Sequence, residues 1–483
     1  MENFWDFRIW GFLNLISIIL ISLLLANILK KRIKIVEKSL IPTSVLAGIL
    51  LLIVSAIFNA ITGDVFFNLQ FFGGNGSSVL ETITYHMLAI GFIASTLKTV
   101  SGKITKERSS EILNTGITTV ASYLIQAIVG MSITIIAALL LTKLLSASGV
   151  LLALGFGQGP GQALNYGNVY ETQFGFVGGR SFGLTIAALG FLAASLGGVI
   201  HLHIIKKKHP EKFEKKENQG EKEYLMVDKS KDEGGLGKLV IQFALIFITY
   251  LVSYAIMFVL GTLIPSIKAV IYGFNFLFGV LIALVVKATV NFLKRKDVIK
   301  NECIDNYLLS HVSNVAFDLM VVSSISAIRL DILQNYWGIV IILAVAGLII
   351  TYAYNYLVAK KLFPDYKHEQ FLAMYGMLTG TASSGIILLR EVDPDLTGKA
   401  SSNLVYQNLP AMVLGFPIMF LVPYAPKNPY LVLGILVVGF IILNIVLFRS
   451  KIFKRKKVHI LDNQSPEKNA SQIQDKNTNN IKE

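Results

Sequence analysis

Two short stretches of this chain place small and polar residues where an apolar helix would otherwise run. In GFGQGPG, residues 155–161, four glycines alternate with Phe156, Gln158 and Pro160. Losing side chains at alternate positions bares backbone N–H and C=O groups to a ligand. Gly157, Gln158, Gly159 and Gly161 are therefore candidate binding residues, with Asn165 just beyond them. In TGTASSG, residues 379–385, Thr379, Gly380, Thr381, Ser383 and Ser384 bring hydroxyls to a second such bend. Broken helices of this kind hold cations with unwound carbonyls and anions with half-helix amino ends. The plainer reading is that small residues here only let helices pack closely.

Other polar residues interrupt apolar runs. Asn314 and Asp318 are four apart and share one helical face. An aspartate there must face protein or water, as a cation or proton site or as a structural pair. Gln407 and Asn408, followed by Pro410, point to an interrupted helix with its polar groups turned to the core. Arg180 and Arg390 flank the two bends; each suits a bidentate carboxylate contact or a headgroup reached by snorkelling. His86 and His311 fall within runs, where a lone histidine is more often a packing element, and His201 and His203 abut a basic segment.

These residues sit in a chain built for lipid. Of 483 residues, 53% are hydrophobic and only 15% charged, against about 25% charged in soluble proteins. Apolar runs of spanning length lie near 9–29, 40–61, 79–98, 112–142, 177–205, 238–264, 268–292, 304–328, 337–359, 399–424 and 429–448. The net charge of +14 is concentrated at the ends of those runs, as orientation signals and lipid contacts require, so nucleic acid is not a partner. Cys303 is the sole cysteine, which excludes an intrachain disulfide and a thiolate metal site. The chain has no nucleophile elbow and no His/Cys/Asp set at metal spacing, so an enzyme is not expected. No cofactor is expected either.

The bends fit poorly as ordinary spans. Residues 148–173 and 369–391 each read as two short arms about a polar vertex, and non-helical backbone survives at membrane depth only inside protein or a wet cavity. Basic clusters at 30–38, 98–108, 206–208, 294–300, 360–367 and 449–457 all fall on one side if both segments dip in and return. The positive-inside rule makes that side cytoplasmic, with the N-terminus outside and the C-terminus inside. The expected fold is an all-α polytopic membrane protein of two inverted repeats. Each repeat has five spans and one re-entrant loop, and an extra helix follows. Residues 1–205 form the first repeat, 206–236 a charged cytoplasmic linker and 237–424 the second repeat. The extra helix and its basic end occupy 425–457, and a disordered tail 458–483. The spacing agrees: Gly157 lies 109 residues after Gly48, and Gly380 lies 101 after Gly279.

On these bends, and on IPTSVLAGILL (41–51), HMLAIGFIASTLK (86–98) and SNVAFDLMVVSSISAIRLDIL (313–333), the chain resembles the bacterial sodium/glutamate symporter family across most of 9–424. Where that family's first vertex commonly reads Gly-Gly-His-Gly-Thr, this chain has GFGQGPG. The resemblance implies Na⁺-coupled symport of glutamate in the bacterial plasma membrane, by a homodimer working through alternating access. Na⁺ would be the coupling ion and not a resident metal. Carriage of another small carboxylate or amino acid, coupled to H⁺ or Na⁺, is the alternative. A passive channel is the more distant one.

Overall fold

The computed structural model describes residues 3–98, 106–208, 235–297 and 303–449. Among them the chain is helical throughout, with no strand. In order the helices are α1 (Phe7–Arg32), α2 (Lys34–Lys38), α3 (Thr43–Thr62), α4 (Gly76–Leu97), α5 (Lys106–Ala137), α6 (Pro160–Phe174), α7 (Gly179–Lys208), α8 (Gly235–Leu263) and α9 (Lys268–Gly273). There follow α10 (Asn275–Arg295), α11 (Asn306–Ser326), α12 (Trp337–Leu362), α13 (Lys367–Thr379), α14 (Ala382–Arg390), α15 (Lys399–Tyr406), α16 (Asn408–Leu421) and α17 (Pro429–Leu447).

Ten of these helices are long and apolar enough to cross a bilayer, and α15 with α16, bent by 43°, makes an eleventh if the pair is one span. The chain is thus a multi-pass membrane protein, and the apolar runs of the sequence map onto these helices. The run at 268–292 is divided between α9 and α10. Asn275 stands just after the break: its Oδ1 accepts from Phe276 N, and its Nδ2 donates to the Tyr85 carbonyl across 3.0 Å. The expected linker and tail fall largely at 209–234 and 450–483, outside the described residues.

Local signals end the helices where the chemistry requires. Asp6 accepts from Arg8 N at the start of α1, and Asp305 from Tyr307 N and Leu308 N at the start of α11. Lys30, Lys31 and Arg32 close α1 and Lys206, Lys207 and Lys208 close α7, where cations meet the carbonyl end of the dipole.

Small residues set the packing, as expected where lipid offers no hydrophobic drive between helices. A Cβ added at Gly48 of α3 would stand 2.7 Å from Ile325 of α11, and one at Gly279 of α10 would stand 2.8 Å from Ile93 of α4. Ser313 of α11 donates to the Gly91 carbonyl of α4. These four helices form one packed group. A second group gathers α5, α7, α12 and the broken segments, with α17 bonded to α12 through Tyr354 and Asn444. Gly347 of α12 lies against Leu152 and Phe156.

Candidate functional site

Both polar bends are breaks between short helices. The first enters through a 3-10 turn, Ser146–Val150, and a π-helical turn, Ala153–Gly157, before α6. Turns of this kind inside helices are frequent at functional sites. Gly159 has φ +88° and ψ 179°, a conformation open only to glycine, and Pro160 starts α6 with the fixed φ a helix needs. The second break lies at Gly380 and Thr381, between α13 and α14.

Helix α7 shows where the arms lie. Near its start, Gly179 and Gly183 pack on the carbonyls of Gly167 and Ala163 of α6. Further along, Ala187 meets Gly155, and Gly190 packs on both Phe156 and the Thr379 carbonyl. Beyond that point its neighbours belong to the second break: Tyr375 lies at Gly197, and His201 Nε2 is 3.1 Å from His368 Nδ1. The first break therefore lies along the first half of α7 and the second along the other half. They meet at Gly190. There a Cβ on Gly159 would be 3.8 Å from the Gly380 carbonyl and 3.9 Å from the Thr381 methyl.

At this meeting point buried polar atoms lack protein partners. Gln158 Oε1, Ser384 Oγ and Gln126 Oε1 are unpaired there, as are both amide atoms of the buried Gln162 in the first turn of α6. Each such atom costs about 1–3 kcal/mol if nothing binds it, so a cluster of them calls for an explanation. Gln126 of α5 reaches both breaks. Its Nε2 donates to the Leu378 carbonyl across 2.8 Å, and its Oε1 sits 2.8 Å from where a Cβ of Gly157 would be. Two helix amino ends, those of α6 and α14, also start here. No ion pair lies at the meeting point among the described residues.

The structure separates the remaining candidates. Gly157 and Gly161 are buried, Gly161 against Leu88. Thr379 donates to the Tyr375 carbonyl, Thr381 is half-buried and Ser383 is exposed. Asn165 gives its amide to the Gly273 carbonyl. Gln407 is saturated by Thr119, Met377 and Asn408 at the kink between α15 and α16, and Asn408 itself is exposed. Asn314 and Asp318 share a face of α11 as expected, and both are exposed. Arg390 is exposed at the end of α14. Arg180 is held by Glu81, Asn168 and Glu171.

Sequence reading passed over Gln126, Gln162 and Asn355. A glutamine inside the otherwise apolar run around 126 is the signal that points to it.

The sodium/glutamate symporter family model matches residues 11–375, which include the first vertex and the arm leading into the second. The chain belongs to the sodium/glutamate symporter family. It is thus a member of a transporter family and not an enzyme. No curated protein and no solved structure gives a significant match to this symporter-family chain.

Proposed function

We propose that the protein is a secondary active transporter that carries glutamate with Na⁺ across a bacterial plasma membrane by alternating access. The carrying observation is the meeting of the two breaks at Gly159 and Gly380 amid buried, unpaired polar groups. The amino ends of α6 and α14 favour the carboxylates of the solute, and the carbonyl ends of the π turn and α13 favour the cation. Gly157, Gln158, Gly159, Gly161, Thr381 and Ser384, with Gln162 and Gln126, are its ligands. Asn165, Thr379, Gln407 and Asn408 hold the frame around them.

In this reading each break is a re-entrant hairpin, and the two enter from opposite faces. The order of their contacts along α7 supports that geometry. So does the exchange of partners between halves: Gly48 packs on the third long helix of the second half and Gly279 on that of the first. The repeats are then inverted. The basic ends of α1, α7, α10 and α12 orient them with the N-terminus outside and the C-terminus in the cytoplasm. The working unit is a homodimer in the bilayer.

Two experiments test the reading. Purified protein should bind labelled L-glutamate in Na⁺ and not in choline, with other dicarboxylates and amino acids as competitors. With Cys303 replaced by serine, cysteines at Gln158 and Ser383 should react with impermeant thiol reagents only from opposite sides. Reaction of both from one side would remove the opposed hairpins.

A further inference from the structure

Helix α5 carries a polar stripe that meets the paired vertices only at one end. Glu111, Thr115, Thr119, Ser122 and Gln126 recur every three or four residues and share one face of the helix. The last four are at most 1% exposed. From Gln126 the stripe runs about 22 Å back to Glu111, at the end of α5 that the charge pattern makes cytoplasmic. Three other segments cover it. Thr119 donates to Gln407 Oε1 across 2.7 Å, Gln370 Nε2 of α13 to Thr115 at 3.3 Å, and Asn403 Nδ2 of α15 to Gln370 Oε1 at 2.9 Å. Asn355 of α12 donates to Ser122 at 3.3 Å. At the cytoplasmic end Arg108 bonds Glu111, Ser402 and the Lys399 carbonyl, and Lys399 Nζ lies 3.4 Å from Glu111. Glu369 of α13, half-buried, precedes Gln370. Further in, the lining carries no charge: there is none on α5 from 112 to 137, α12 from 337 to 359, α13 from 370 to 379 or α15 from 400 to 406.

Polar bonds that only join helices in lipid close on themselves. These do not. Three amide oxygens along the stripe, those of Gln126, of Asn355 beside Ser122 and of Asn403 near Thr115, are buried with no donor. A polar lining short of donors is completed by water, and polar groups inside a span mark pathways. The wall best able to move is α15. It has eight residues, ends at the bend beside Gln407, and buries only Ala400 and Leu404 as apolar anchors. Its polar bonds exchange for bonds to water at small net cost. Helix α13, by contrast, is fixed to α7 through Tyr375 with the Ala193 carbonyl and through His368 with His201.

We propose that the seam between α5 and the wall of α13 and α15 is the cytoplasmic exit route of the paired vertices, shut in this conformation, and that α15 is its gate. The route takes water and a small hydrophilic solute. The assignment rests on the transporter reading above and adds the path by which the solute leaves.

The test uses the full-length Cys303→Ser chain in inside-out and right-side-out vesicles, probed with an impermeant, water-soluble thiol reagent. Thr115→Cys, Thr119→Cys and Ser122→Cys place thiols on the stripe. Leu124→Cys places one against Gly439 of α17, and Asp365→Cys is an exposed control. The stripe thiols should react from the cytoplasmic face alone, about tenfold or more faster than Leu124→Cys, because the reagent needs a solvated thiolate. Glu111→Gln loosens the mouth and should speed Thr119→Cys by about two- to fivefold, the worth of a partly exposed ion pair. Silence of all three stripe thiols where Asp365→Cys reacts would overturn the route and leave the stripe as helix-joining bonds. Reaction from outside only, or at Leu124→Cys as fast as on the stripe, would overturn it too. Na⁺-driven glutamate uptake in the same vesicles reads the transport separately. Uptake with a silent seam removes the route alone, and a reactive seam without uptake removes glutamate symport and keeps the route.

Discussion

Arg180, at the start of α7, donates from Nη1 to Glu81 of α4 across 2.9 Å, and from Nε to Asn168 of α6 across 2.9 Å. Glu171 of α6 accepts from the Arg180 backbone at 3.1 Å. One guanidinium thus ties the helix group of α4 to the group that carries the first vertex. Glu81→Gln should lower stability by about 1–2 kcal/mol, less than the roughly 1.5–3 of a fully buried charged hydrogen bond because both side chains are partly exposed. A double-mutant cycle with Arg180→Gln should return a coupling of about 1 kcal/mol. Additive single effects would show that the two groups act independently.

Gly159 and Gly175 both have positive φ, but only one of them stands at the vertex. Gly175 closes α6 at φ +68° with nothing within 4 Å of an added Cβ. Gly159→Ala meets backbone strain of about 1–3 kcal/mol and places a methyl between the two breaks. It should abolish uptake in protein that still reaches the membrane. Gly175→Ala should cost about 1 kcal/mol and leave uptake largely intact. Equal loss of uptake in both would point to folding and not to the vertex.

Ser384 and Gln162 lack protein partners, so their removal has an unusual signature. Replacing an unpaired buried polar group by an apolar one is neutral or stabilising. Ser384→Ala and Gln162→Leu should leave the ligand-free melting temperature unchanged or raise it, while glutamate binding falls by about tenfold or more, the worth of one good hydrogen bond. A fall in stability alongside unchanged binding would make these residues structural.

Acid sensitivity is expected in the loop between α11 and α12. Arg329 donates to Asp331 from Nε at 3.0 Å and Nη2 at 2.6 Å, and this holds the Asp331 carboxyl below its ordinary value. A depressed folded pKa gives stability that is present above the ordinary aspartate range and is lost as pH falls through the depressed value. Stability should therefore not change on this account between about pH 6 and 8, about two units or more above an ordinary aspartate. Arg329→Gln should remove only the part of the acid-induced loss that belongs to Asp331, read from melting curves below pH 4, about the ordinary aspartate value.

The spans were legible because lipid demands long apolar helices, and both breaks were legible because Gly159 and Gly380 interrupt them. The centre of the site was not. Gln126 reaches Leu378 and Thr351 across more than 200 residues of chain, and no local pattern pairs those segments. Asp318 drew attention as a charge in an apolar run, yet it lies on an exposed face of α11. Arg180 fitted a ligand or a headgroup contact equally well from sequence. Only the fold brings Glu81 to it.

The most direct test is uptake of labelled L-glutamate into proteoliposomes under imposed Na⁺, K⁺ and proton gradients. Accumulation above equilibrium with an inward Na⁺ gradient, lost with K⁺ and in Gly159→Ala, is the expected result. Uptake no greater than in protein-free liposomes under every gradient, or equilibration without accumulation, would contradict sodium-coupled symport of glutamate through the paired vertices.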